Sequence, residues 1–176
     1  KVIKTAEVNG VPIDIPVKGA VFGVYDGDTE KCRGTTGEDG QVILEFQGDA
    51  TKQYTLKEIS APEGYFNEET THTFSYNGQQ QTITIKNKGD LSVTIEKTRN
   101  VSFENETTPP SLAGAEFELR YSGKGDVLSK HTTDANGLIT ISGLIPGTYT
   151  LTETKAPTGF GLPASPNDVT TFTIGA

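Results

Sequence analysis

Three residue types with complementary chemistry close apolar rows in this chain. In Tyr54-Thr55-Leu56-Lys57-Glu58, strand alternation places Tyr54, Leu56 and Glu58 on one face. The row returns 95 residues later as Tyr149, Leu151 and Glu153. In Val93-Thr94-Ile95-Glu96-Lys97 the apolar parity runs Val93, Ile95 and then Lys97, and in Ile83-Thr84-Ile85-Lys86-Asn87 it runs Ile83, Ile85 and then Asn87. Val2 and Lys4 open the chain as a shorter version. Taken singly, each polar residue reads as a strand end whose tip reaches water at a sheet rim. Taken together they have a different use, because a carboxylate, an amine and a carboxamide facing a core are costly unless they pair.

Burial disfavours the charged forms of lysine and glutamate. A neutral amine is a nucleophile, and a protonated carboxyl can hydrogen-bond and polarise a carboxamide. Held in contact in a dry core, the lysine can attack the asparagine side chain and expel ammonia, with proximity supplying much of the barrier reduction. The product is a Lys–Asn isopeptide bond, with glutamate as the proton shuttle.

The elements that must position such groups are strands. The chain of 176 residues has 20 glycines, no Trp and no Met, and is rich in alternating Thr, Val and Ile. Strands are expected at residues 1–5, 19–25, 41–46, 54–59, 71–76 and 81–87, and the segment 9–17, with two prolines, reads as a loop or edge excursion. Asn77-Gly78 predicts a hairpin. Landmarks of the first half return in the second: Gly114-Ala115-Glu116-Phe117 for residues 19–22, and Thr132-Thr133-Asp134-Ala135-Asn136-Gly137 for residues 35–40. Two all-β domains are therefore expected, at residues 1–88 and 89–176, joined by a linker too short for a wide swing.

A net charge of −8 argues against nucleic-acid binding and anionic membrane surfaces, and no apolar run is long enough to cross a bilayer. Cys32 is the single cysteine, so no disulfide forms within one chain, and it reads as a small tolerated residue. Asp26-Gly27-Asp28-Thr29-Glu30 reads as a turn, since the later ligands of a calcium loop are missing. No metal site, cofactor site or turnover catalytic set is evident: neither His72 nor His131 has a partner at catalytic spacing.

With these motifs in view, both halves resemble the CnaB-type (collagen-adhesin B-region, SpaA-like) domains of Gram-positive surface adhesins and pilins. The resemblance rests on Ile95-Glu96-Lys97-Thr98, Leu112-Ala113-Gly114-Ala115-Glu116-Phe117, residues 132–137, and the block Tyr-x-Leu-x-Glu-x-x-Ala-Pro-x-Gly at 54–64 and 149–159. It implies tandem prealbumin-like, inverse immunoglobulin β-sandwiches with a self-formed Lys–Asn bond assisted by Glu. By position the first trio is Lys4, Glu58 and Asn87, with Lys1 the alternative to Lys4. The second domain has Lys97 and Glu153. The chain stops after the strand that aligns with residues 72–76, so the strand that should carry the asparagine is expected in a continuation of the parent protein, and no isopeptide bond is expected in the second domain of this chain. Asn100, Asn105, Asn136 and Asn167 all fall in segments reading as loops or turns.

The function this implies is a stalk module of a cell wall-anchored extracellular protein, an adhesin or pilus subunit, with neighbouring modules as partners. Two alternatives stand beside it. One is an adhesive module for a host matrix protein or glycan, which a groove with clustered aromatics would support; the sequence shows only scattered Tyr and Phe. The other is a split domain that accepts its last strand from another chain. The segment 102–110 reads as a polar inserted loop, and Asn100-Val101-Ser102 and Asn105-Glu106-Thr107 fit the glycosylation pattern, which a bacterial origin would make irrelevant.

Overall fold

The computed structural model describes residues 1–67, 71–99 and 110–175, and forms two compact units, Lys1–Asp90 and Leu91–Ala176. No described residue is helical. Both units are all-β, as the alternating Thr/Val/Ile rows require.

In the first unit, β1 (Val2–Val8) carries β2 (Val11–Pro12) and β5 (Gln41–Val42) antiparallel and β8 (Ile83–Lys88) parallel. The other sheet has the order β4 (Thr29–Thr35), β3 (Val21–Asp26), β6 (Gln53–Ser60), β7 (Thr71–Ser75). Val2 and Ile85 from one sheet meet Phe22, Val24, Tyr54 and Leu56 from the other in one buried cluster. Alternation is strict along β1: Val2, Lys4, Ala6 and Val8 are buried, and the residues between them are half-exposed.

The second unit repeats this plan with a smaller opposing sheet. Its four-stranded sheet has the order β11 (Ser129–Thr132), β10 (Glu116–Tyr121), β13 (Gly147–Lys155), β14 (Val169–Ile174), matching β4-β3-β6-β7. The opposing sheet has two strands, β12 (Leu138–Leu144) and β9 (Leu91–Glu96). Among the described residues nothing pairs with β9 as β8 pairs with β1. Along β9 the inward positions Leu91, Val93 and Ile95 are only half-buried.

Several expectations need correction. Asn77-Gly78 does not close a hairpin: β7 pairs with β6, and β8 crosses to the other sheet beside β1. Turn residues reverse the chain, but the pairing is decided by Ile85, whose burial requires a place beside β1. The strand expected at 41–46 pairs only over Gln41–Val42. Residues 29–35, read only as a span between turns, form β4; its mainly polar, exposed side chains are those of an edge strand. The segment after β1 turns through Asn9 and Gly10, both at positive φ, and returns as the short β2. Asn100, Asn105 and most of the predicted loop 102–110 lie outside the described residues.

Candidate functional site

Within the first unit, Lys4, Glu58 and Asn87 converge from β1, β6 and β8. Each is at most 4% exposed. Lys4 Nζ donates to Glu58 Oε2 at 3.0 Å and also to Asn87 Oδ1, while Asn87 Nδ2 donates to Glu58 Oε1 at 2.8 Å. The carboxylate thus spans the amine and the amide nitrogen, one oxygen to each. Lys4 Nζ also lies 5.6 Å from the centroid of the Phe22 ring, which is fully buried.

Backbone register sets this meeting. In the parallel pair Lys4 lies level with Ile85 and Ala6 with Asn87, so the asparagine enters two residues beyond the lysine. In the antiparallel pair Phe22 lies level with Glu58. Gly40, at φ 67°, accepts from the Lys4 amide through its carbonyl at 2.7 Å. A Cβ there would stand 2.6 Å from the Lys4 carbonyl oxygen and 2.9 Å from the backbone of Pro16 and Val17. Only glycine fits so close to β1. The lysine that meets Glu58 and Asn87 is Lys4, not the alternative Lys1, whose terminal ammonium donates to the Gln81 carbonyl at 2.7 Å.

Thr36 was legible only as part of a turn, yet it fastens the entry to β3. Its hydroxyl accepts from the Ala20 amide and donates to the Val17 carbonyl. Thr133 does the same for Ala115 and Leu112 in the second unit. The signal was the recurrence of Thr before a Gly-terminated turn in both halves.

In the second unit, Lys97 Nζ donates to Glu153 Oε2 at 2.9 Å, and the Lys97 amide donates to the Gly137 carbonyl, as Lys4 does to Gly40. The third member is absent from the described residues. Asn136 and Asn167 are exposed in turns. Glu153 Oε1, the oxygen that corresponds to the asparagine-bound one of Glu58, is buried without a hydrogen-bond partner among the described residues. The Lys97 side chain is 21% exposed, whereas that of Lys4 is 0%. A cavity of about 100 Å³ opens beside the pair, with Leu112, Pro157, Phe160 and Pro163 in its wall.

A second feature of the first unit emerged only on folding. Phe46, Tyr54, Phe74 and Tyr76, dispersed in sequence, form a ring cluster with centroids 4.9–6.4 Å apart. Three of them, with Ile43 and Gln79, line a cleft of about 260 Å³. No group of three or more His, Cys, Asp or Glu able to hold a metal occurs among the described residues. Burial pushes the Cys32 thiol up, away from the reactive thiolate.

The model of the SpaA prealbumin-like fold domain matches the chain twice, over residues 1–99 and 92–175. The chain belongs to this family. Its two SpaA domains are similar in sequence to part of the serine-aspartate repeat-containing protein F of Staphylococcus epidermidis, 26% identical over 174 residues. That alignment takes in 85% of this chain and 10% of the relative, so the chain spans about a tenth of that protein's length. Among solved structures, the Bacillus anthracis TIE protein is 26% identical with a TM-score of 0.47, over 99% of this chain and 30% of that one. The shaft pilin SpaA of Lactobacillus rhamnosus GG is 20% identical with a TM-score of 0.40, over 99% of this chain and 92% of that one.

Proposed function

We propose that the first SpaA domain is a self-crosslinking structural module of an extracellular, cell wall-anchored adhesin or pilus subunit. The observation that supports this best is the buried, mutually hydrogen-bonded set Lys4, Glu58 and Asn87. Such a set is a poor choice for stability alone, because a well-packed apolar trio would serve as well or better than a buried ion pair. Its geometry suits a reaction. Transfer of one proton from Lys4 Nζ to Glu58 Oε2 yields a neutral amine, the nucleophilic form. Nζ attacks Asn87 Cγ, whose carbonyl oxygen already accepts from it. Glu58 then delivers that proton to Nδ2, with which its other oxygen is hydrogen-bonded, and takes up the second proton that Nζ sheds as the amide forms. The Nζ–Cγ bond forms, the Cγ–Nδ2 bond breaks, and one ammonia leaves. The residues are consumed once, so there is no turnover.

The bond would join β1 to β8 across 83 residues of sequence. Tension entering the domain at its first strand and leaving at its last would pass through a covalent link instead of unzipping the sheet. A stalk needs that property, and the pilin and repeat-protein names among the relatives are in keeping with it.

The test is the intact mass of the denatured chain. A deficit of one ammonia, abolished separately by Glu58→Gln and by Asn87→Ala, is expected. A full mass in the unsubstituted chain would overturn the crosslinking reading.

The aromatic cleft favours a second reading, in which the same domain binds a host matrix protein or glycan. Saturable binding that Tyr76→Ala weakens at least tenfold would establish it and would sink a purely structural role.

A further inference from the structure

We propose that Asn77-Gly78 is a self-modification site: the Gly78 amide nitrogen displaces ammonia from the Asn77 side chain, and water then opens the resulting ring to aspartate and isoaspartate. The proposal is independent of the crosslinking chemistry inferred for Lys4. It concerns a pair whose turn form suggests a hairpin, but which lies in the connector that leaves β7 for β8 in the opposite sheet.

The reaction is local. Asn followed by Gly sets a carboxamide carbon one five-membered ring away from a backbone nitrogen, and no Cβ on the second residue obstructs the approach. The bond from Gly78 N to Asn77 Cγ forms, the Cγ–Nδ2 bond breaks, and the amide proton leaves with the ammonia. The succinimide then takes up one water. Attack at one carbonyl leaves aspartate and attack at the other leaves isoaspartate, each with one new carboxylate. Water is the sole co-reactant.

Asn-Gly occurs three times in the chain, at residues 9–10, 77–78 and 136–137, and the fold treats the three differently. Gly137 is buried and its amide donates to the Asp134 carbonyl at 3.0 Å. The Asp134 carboxylate accepts from the Asn136 and Leu138 amides at 2.8 Å each. There the nucleophile is held, and a negative charge stands beside it. Asn9 and Gly10 form the two-residue link between β1 and β2, both at positive φ, with Val8 level with Val11. Ring closure at Asn9 requires opening that turn.

Asn77-Gly78 has neither restraint. Both residues are exposed, and a Cβ on Gly78 would meet nothing within 4 Å. Among the described residues no acceptor engages the Gly78 amide. The electrophile, in contrast, is prepared. Asn77 Oδ1 accepts from the Gln79 amide at 3.0 Å and from Gln81 Nε2 at 3.2 Å, and Gln81 Nε2 also donates to the Ser75 carbonyl at 2.7 Å. Attack on Cγ puts negative charge on Oδ1, where two N–H donors already point, and donors so placed stabilise the tetrahedral intermediate.

The product matters to its surroundings. Isoaspartate lengthens the connector by one methylene and adds a charge next to Tyr76. That ring packs against Phe46, with centroids 5.6 Å apart, and covers Gly48 so closely that a Cβ there would stand 2.5 Å from it. Modification at residue 77 therefore disturbs the wall of the aromatic cleft.

The test incubates the folded whole chain in mildly alkaline buffer and follows each Asn-Gly pair by peptide mapping with fragmentation mass spectrometry. Conversion at residue 77 is expected to run about tenfold ahead of residues 9 and 136, which react only through local opening. Its rate should rise with pH, because the Gly78 amide must shed its proton. Gln81→Ala, at a partly exposed position, should slow it about threefold, and Asn77→Gln should abolish it. In denaturant the three pairs should react alike. Equal rates in the folded chain, or a lead by Asn9 or Asn136, would overturn the proposal. An unchanged rate in Gln81→Ala would overturn the part assigned to the donors on Oδ1. Ammonia lost at residue 77 is replaced by water, whereas a side-chain amide between Lys4 and Asn87 takes up none, so each result stands without the other.

Discussion

The two SpaA domains present one site in two conditions. In the first, lysine, glutamate and asparagine close a ring of hydrogen bonds in a core from which water is excluded. In the second, the lysine and glutamate hold the same positions on equivalent strands and help to line a cavity, and the remaining carboxylate oxygen has no hydrogen-bond partner among the described residues. Lysine and glutamate therefore meet without the asparagine strand; the fold around Gly40 or Gly137 and the Phe–Glu register is enough to bring them together. The third strand contributes the carboxamide and the complete burial of the lysine. A buried ion pair whose hydrogen bonds are all satisfied tolerates its desolvation, whereas one with a missing partner does not.

The largest consequence concerns stability. A covalent link across 83 residues should contribute about 4–5 kcal/mol by the loop-entropy reasoning used for disulfides. Calorimetry of the whole chain is expected to show two transitions, the upper one from the first domain. Asn87→Ala should lower that transition by on the order of 20 °C for a domain of this size. The lower transition should stay in place. Equal melting of the two domains before substitution would break the comparison at its root.

Exchanging the ion pairs for apolar side chains sharpens it. In the second domain, Lys97→Met with Glu153→Leu removes a pair that is desolvated but incompletely satisfied, and is expected to be neutral or stabilising by about 1–3 kcal/mol. The same exchange at Lys4 and Glu58 strands Asn87 and removes the proposed crosslink, so it should destabilise. Chemical denaturation of the two double variants measures both. Matching signs would show that the pairs are equivalent and that the asparagine makes no difference.

Much of this was legible in the sequence, because strand parity alone places Lys4, Glu58, Asn87, Lys97 and Glu153 on inward rows. The Tyr-x-Leu-x-Glu repeat even indicates which face of each central strand is apolar. Pairing was less legible. Asn77-Gly78 has the form of a hairpin turn but links two sheets, since a turn motif carries no information about which neighbour buries Ile85. The aromatic cluster of Phe46, Tyr54, Phe74 and Tyr76 was hidden for a similar reason: its members lie on separate segments and meet only in the folded sandwich. The Glu153 oxygen without a partner among the described residues depends on which segments pack beside it, which no local pattern encodes.

The glycines behind the two lysines should respond unequally. Gly40→Ala sets a methyl 2.6 Å from the Lys4 carbonyl at positive φ, and the obstructing atoms are backbone. It is expected to cost about 2–3 kcal/mol and to slow crosslinking by misplacing Lys4. Gly137→Ala meets Leu112 and the Lys97 carbonyl at 3.3 Å, and should cost about 1 kcal/mol, the conformational part alone. Thermal shifts of the two transitions, with crosslink yield for Gly40→Ala, compare them.

The smallest effect distinguishes the domains by pH. His131, on β11 of the second domain, is half-buried, and desolvation holds it below its ordinary value of 6.5. Its ring Nε2 shares a hydrogen bond with the Ser129 hydroxyl at 2.7 Å, and it lies level with Phe117 across the sheet. Glu118 and Lys130 pair with each other at the adjacent register position. As pH falls through 6.5 the unfolded chain takes up a proton that the folded domain resists, so the unfolded state binds more protons and stability declines. The decline ends once pH drops below the depressed folded value, where both states are protonated. Glu118 and Asp134 are held below their ordinary values of 4.5 and 3.8, so their losses begin only at lower pH and leave the upper window to the histidine. The lower melting transition should therefore slip by a degree or so between pH 7 and pH 5, and His131→Gln should flatten it across that interval. A slope that survives the substitution would assign the titration to another group and remove this distinction between the domains.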